Sequence, residues 1–132
     1  MGTEPLASPG WKEKAIITSL NEKQTILIVD DSMLNRALLA DMIGDAYRIV
    51  EAEDGKQAVA ALQKEGTGIS LVLLDYVMPQ MNGFDVLEVM NRNGWIKDIP
   101  VIMVSAESDA AYIERAYELG VTDFINRPYD VN

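Results

Sequence analysis

Residues 71–79 read Leu-Val-Leu-Leu-Asp-Tyr-Val-Met-Pro, an apolar run that ends abruptly in one carboxylate, Asp75. The consecutive apolar residues Leu71 to Leu74 predict a strand buried on both faces, as in the middle of a parallel sheet. Asp75 then stands at the carboxyl end of that strand, the edge of an open α/β sheet where ligands bind. An isolated Asp at a strand end needs no function, because acids favour turns. Its meaning depends on what the rest of the chain brings to the same edge.

Upstream, Thr25–Asp30 predicts a first buried strand that ends in the pair Asp30 and Asp31. Ser32 to Ile43 has helical spacing, with Leu34, Leu38, Leu39 and Met42 available for an apolar stripe, and Gly44 and Asp45 break it. Tyr47–Ala52 predicts a second strand, and Lys56–Glu65 a second helix carrying Ala58, Val59, Ala61 and Leu62. The opening stretch itself belongs to a strand at Ser70–Asp75. Downstream, Phe84, Leu87 and Met90 mark a third helix that runs to Asn93 and Gly94. Pro100–Ser105 is the fourth strand, with Pro tolerated at its start. Ser108 to Leu119 is the fourth helix and Thr122–Asn126 the fifth strand, followed by Arg127 and Pro128. Strands alternating with helices predict a doubly wound parallel sheet.

The 132 residues suit one domain, placed at residues 24–132, with residues 1–23 as a flexible lead or linker. Within that lead, Trp11–Leu20 has weak spacing for a short helix. Five strands but only four completed helices leave one sheet face short of cover. The expectation is a last helix cut away with the rest of a longer protein. The Trp11–Leu20 stretch or a second molecule in a homodimer would be the other ways to cover that face.

Eleven basic against twenty-one acidic residues give a net charge of -10, which argues against direct contact with nucleic acid or anionic lipid. No apolar run approaches the ~20 residues of a membrane span. The chain has no cysteine and no histidine, so any metal site must be built from oxygen. A cytoplasmic setting is compatible with this composition.

In the strand order 2-1-3-4-5 the first and third strands are neighbours at the topological switch point, so Asp30, Asp31 and Asp75 converge in one crevice. Ser105 ends the fourth strand and Arg127 follows the fifth. Three clustered carboxylates repel one another unless a cation sits among them, and hard oxygen ligands suit Mg²⁺. Helix capping by Asp31 or Ser32 explains one acid of the pair well and both poorly.

Four stretches in order carry a family resemblance: Ile-Leu-Ile-Val-Asp-Asp-Ser at 26–32, Leu-Asp-Tyr-Val-Met-Pro-Gln-Met-Asn-Gly at 74–83, Pro-Val-Ile-Met-Val-Ser-Ala at 100–106 and Gly-Val-Thr-Asp-Phe-Ile-Asn-Arg-Pro-Tyr at 120–129. Together they resemble the receiver domain of two-component response regulators, from about Thr25 to Tyr129. The resemblance implies a flavodoxin-like fold and a role for each position. Asp75 matches the phosphoryl acceptor, loaded from a phosphohistidine on a sensor histidine kinase or phosphotransfer protein. Asp30 and Asp31 match the acid pair that holds Mg²⁺, with Asp75 and the backbone carbonyl of Val77 completing the ligands. Ser105 matches the hydroxyl that moves to the phosphoryl group, and Phe124 the aromatic that reports the change at the far face. Such a module catalyses only its own phosphorylation and dephosphorylation. Its output passes to an attached effector domain, and an Arg-Pro-Tyr ending is compatible with effectors that make or degrade a cyclic dinucleotide.

Arg127 departs from the family pattern, which has Lys before the Pro. Arg keeps the charge but is planar and favours bidentate contact, so it could clamp unmodified Asp75. A rival reading is therefore a phosphorylation-independent scaffold or dimerisation domain. A metal-dependent phosphohydrolase of the haloacid dehalogenase type would need an Asp at the position of Val77, which argues against it.

Overall fold

In the computed structural model, which describes residues 23–107 and 109–127 and the single positions 10 and 13, every predicted strand is present. Thr25–Val29 (β1), Arg48–Ala52 (β2), Ile69–Leu74 (β3), Val101–Ser105 (β4) and Asp123–Asn126 (β5) form one parallel sheet in the order β2-β1-β3-β4-β5. Four helices connect them: Met33–Ile43 (α1), Gly55–Glu65 (α2), Gly83–Arg92 (α3) and Ala110–Glu118 (α4). The alternation and the strand order agree with the expectation from sequence. Apart from position 13 the Trp11–Leu20 stretch lies outside the described residues, as do residues 128–132, and among those described no helix follows β5.

The ends of the elements explain themselves chemically. Ser32 caps α1, its Oγ accepting from the Asn35 N–H at 3.2 Å. Asn82 does more than turn the chain. It opens α3 with a capping box, accepting from the Asp85 N–H at 3.0 Å while Asp85 accepts from the Asn82 N–H at 2.9 Å. Asp54 and Asp109 cap α2 and α4 with single side-chain bonds, accepting from the Gln57 and Ala111 N–H groups.

Alternation along the strands splits the core in two. Leu27, Val29, Val72, Leu74, Val101 and Met103 face α2, α3 and α4, where Ala58, Leu62, Val86, Leu87, Met90 and Ala116 close the larger core. Ile26, Ile28, Leu73 and Val104 point to the other side and meet Leu39, Ala40 and Ile43 of α1. Side chains as deeply buried as Leu27 or Leu87 each contribute about 1.5–3 kcal/mol by leaving water. Among the described residues α1 is the one helix on this second side. Leu73 and Val104 are nevertheless buried, and the apolar exposure expected for an under-covered face is seen at Ile125, on the β5 edge.

The expected stripe of α1 is displaced by part of a turn. Leu39 is buried as predicted, but Leu34 is 77% exposed, and Leu38 and Met42 are exposed too. The buried face runs through Arg36, Leu39, Ala40 and Ile43, the i, i+3, i+4, i+7 series of one helix side. An arginine belongs to that series because its guanidinium reaches past the core to polar partners at the end of β1.

Candidate functional site

Hydrogen bonds from the sheet deliver the acids to one edge. The Asp30 N–H donates to the Ala52 carbonyl at 3.1 Å and the Asp75 N–H to the Val29 carbonyl at 2.9 Å, so both residues continue the ladder just past their strands. Carboxylate oxygens of Asp30, Asp31 and Asp75 then lie within 4.8 Å of one another. Asp30 and Asp75 are buried, and Asp31 stands exposed at the mouth.

Arg127, the residue after β5, spans the two buried acids. Its Nη1 donates to Asp30 Oδ2 at 3.0 Å and its Nη2 to Asp75 Oδ1 at 2.8 Å. Its backbone N–H donates to the Ser105 carbonyl at 3.0 Å, which fixes the start of the reach. The remaining donors are backbone groups: Ser32 N–H to Asp30 Oδ1 at 2.8 Å and Tyr76 N–H to Asp75 Oδ1 at 2.9 Å. Burial first, then the charge of Asp30, push the Asp75 carboxyl up to about 6, against the pull of Arg127 and the Tyr76 N–H.

The other predicted residues lie on the neighbouring elements. Ser105 is buried at the end of β4, its Oγ accepting from the Glu107 N–H at 3.2 Å. Val77 lies exposed in the loop between β3 and α3, two residues beyond Asp75. Phe124 is half-buried on β5 and packs against the larger core.

Two features of the site were not foreseen from sequence. Arg36 is buried beneath the acid pair, donating from Nη1 to the Asp30 carbonyl at 2.7 Å and from Nε to Glu51 at 2.8 Å. Its signal was its position in the α1 series with Leu39, Ala40 and Ile43, which the Leu34 and Leu38 stripe obscured. The second is an aromatic cluster that joins the residue after Asp75 to Phe124. The Tyr76 ring centroid lies 4.4 Å from that of Tyr112 and 4.7 Å from that of Phe84, and Tyr112 meets Phe124 edge-on at 5.6 Å.

The buried Tyr112 hydroxyl has no hydrogen-bond partner among the described residues. Burial raises its phenol above the ordinary value, and the Ser105 hydroxyl lies near enough to ease that rise without reaching hydrogen-bond geometry. A buried unpaired hydroxyl costs free energy, so Tyr112→Phe is expected to stabilise the domain by about 1 kcal/mol in urea denaturation. A loss of stability of that size would show that the hydroxyl is paired after all.

The donor set suits a hard cation: three carboxylates with oxygens close together, in a chain without histidine or cysteine. Asp30, Asp31 and Asp75 are the side chains that could hold it. Chemically, the pocket sets two buried carboxylates under one guanidinium, with a third carboxylate at its mouth.

The family model described as "Response regulator receiver domain" matches residues 26–132. The two-component response regulator ORR3 of Oryza sativa subsp. japonica is 33% identical over 104 residues, 78% of this chain and 79% of its own. A probable cyclic di-GMP phosphodiesterase of Vibrio cholerae is 38% identical over 107 residues, which are 81% of this chain and 24% of that protein. Among solved structures, CheY in the CheX-CheY-BeF3-Mg+2 complex from Borrelia burgdorferi has a TM-score of 0.73 at 31% identity, covering 80% of this chain and 79% of the other.

Proposed function

The chain belongs to the response regulator receiver domain family, and from that premise we propose that Asp75 accepts a phosphoryl group and thereby switches a protein-docking surface. The observation that carries the reading is the convergence of three carboxylates, with Arg127 laid across the two buried ones. The donor would be a phosphohistidine on a sensor histidine kinase or phosphotransfer protein. An Asp75 carboxylate oxygen forms the new bond to phosphorus as the phosphorus–nitrogen bond breaks. The departing imidazole keeps that electron pair and takes up a proton. Asp30, Asp31, Asp75 and the Val77 carbonyl would hold Mg²⁺, which when bound neutralises charge gathering on the phosphoryl oxygens.

On this reading Ser105 and Arg127 would bond the phosphoryl oxygens afterwards. Ser105 sits beside the aromatic cluster, so its displacement would be felt by Tyr112 and Phe124 and carried to the α4 and β5 side. This reading puts the domain in the cytoplasm, with its output passed to an attached effector. The match to the receiver part of a probable cyclic di-GMP phosphodiesterase fits a cyclic-dinucleotide effector.

The test is incubation with acetyl phosphate, with and without Mg²⁺, followed by intact mass beside Asp75→Asn. A single Mg²⁺-dependent phosphoryl adduct that is absent in Asp75→Asn is expected. No adduct on a folded domain would favour the second reading, a phosphorylation-independent scaffold, for which the Arg127 clamp on Asp75 is the supporting observation.

A further inference from the structure

We propose that Arg127 is a guanidinium latch that competes with the divalent cation, holding Asp30 and Asp75 in a metal-excluding state until it swings off them. The inference rests on the receiver reading of the site and concerns its regulation. It follows from an inventory of carboxylate oxygens. An ionised carboxylate offers about four lone-pair sites, two on each oxygen. Asp75 Oδ1 already accepts two hydrogen bonds, from the Tyr76 N–H at 2.9 Å and from Arg127 at 2.8 Å. Asp30 accepts on both oxygens, from the Ser32 N–H at 2.8 Å and from Arg127 at 3.0 Å.

A phosphoacceptor must offer one oxygen to phosphorus and the other to the cation. With Oδ1 filled, Asp75 has only Oδ2 for both tasks. The Tyr76 N–H is fixed by the backbone, so Arg127 is the donor that must leave. Leaving is opposed because the guanidinium fork engages two carboxylates at once in a pocket where Asp30 and Asp75 are 1% and 3% exposed. Its side chain is itself 16% exposed, shielded from water that would compete for it. A lysine ammonium at this position would keep the charge but is compact, strongly hydrated and without the planar two-pronged fit. The predicted consequence is a domain whose cation affinity is set low by one side chain, independently of the acids that bind the ion.

Mg²⁺ titration calorimetry on the wild-type chain, Arg127→Lys and Arg127→Met tests this directly, with urea denaturation to confirm that each is folded. Both variants are expected to bind Mg²⁺ more tightly, Arg127→Lys by about fivefold and Arg127→Met by about tenfold or more. Arg127→Lys is the decisive arm, since it preserves the charge and removes the fork. Wild-type affinity in Arg127→Lys with tightening only in Arg127→Met would reduce the effect to net charge and overturn the latch. Unchanged or weaker binding in both variants, or no binding in any of the three, would overturn it as well. Tightening without an acetyl phosphate adduct on Asp75 would keep the latch and remove the phosphoacceptor reading. An adduct without tightening would do the reverse.

Discussion

Gly83→Ala is expected to destabilise the domain by about 3 kcal/mol and, on the phosphoacceptor reading proposed above, to slow adduct formation at Asp75. Gly83 is the first residue of α3, its N–H donating to the Tyr76 carbonyl at 2.9 Å. A Cβ at this position would lie 2.6 Å from the Asp75 carbonyl oxygen, 2.5 Å from Met103 Cε and 3.0 Å from Tyr76 Cα. Met103 could turn aside, but the Asp75 and Tyr76 backbone could not. Relief would require the loop carrying Asp75 to move away from the helix, and with it the Tyr76 N–H that holds Asp75 Oδ1. The better helix propensity of alanine offsets only about 1 kcal/mol of this. Gly55→Ala is the informative comparison, because the three atoms nearest its Cβ would all belong to Met81, at 2.6 Å from Cγ and 2.8 Å from Cβ and Sδ. Met81 must shift but the Asp75 backbone need not, so the cost should be smaller than at Gly83. Urea denaturation of both variants measures the difference. Equal, small effects would mean that α3 does not press on the Asp75 loop.

Asp75→Asn is expected to make the metal-free domain more stable at pH 8, by about 2 kcal/mol, with the gain fading as the pH falls. The Asp75 carboxyl is moved from an ordinary 3.8 to about 6, mainly by burial and next by Asp30. Folding therefore favours the protonated acid. That stabilisation is fully present below pH 3.8, is lost as the pH rises through about 6, and is absent at pH 8, where the folded domain carries a buried charge. Asparagine copies the neutral form at every pH. The displacement, already net of the opposing pull of Arg127, corresponds to roughly 3 kcal/mol between the two forms, and the amide copies the protonated acid imperfectly, which leaves about 2 kcal/mol. Urea denaturation at pH 8 and at pH 4.5, with chelator present, gives the comparison. A gain that is equal at both pH values would show that the carboxylate charge is not its source.

The elements that could be read without coordinates are those whose signal is local. Leu71 to Leu74 followed by Asp75 marks a doubly buried strand and its exit, because a strand covered on both faces has no polar positions to spare. The same holds for Ile26 to Val29 before Asp30, and Gly44, Gly66 and Gly120 mark helix ends through left-handed turns that other residues resist. The site acids were legible for a related reason: parallel strands all present their carboxyl ends to one edge, so strand order alone brings Asp30 beside Asp75. Exact bounds were less legible. Ser32 shared the cap role with Asp31 as a candidate and Asn82 looked only turn-forming, and their side-chain bonds to Asn35 and Asp85 identify them as the caps.

Sequence by itself thus determined the βα rhythm, the acidic strand ends and the presence of a cation after β5, which follow from periodicity and from which residue ends which strand, while the order 2-1-3-4-5 was taken over from the flavodoxin-like fold. Tertiary structure decided the rest. Leu34 and Leu38 are as apolar as Leu39, yet α1 turns them outward, because the packed face is set by where the helix lies on Ile26, Ile28 and Leu73. Arg36 is buried for the same reason and holds the Asp30 carbonyl from below. Tyr112 gave no functional signal on α4 until the fold set it edge-on between Tyr76 and Phe124. Arg127 could be recognised as an unusual residue from its neighbours in the chain. That it bridges Asp30, 97 residues away, and Asp75, 52 residues away, is a matter of distance and direction that only the closed sheet supplies.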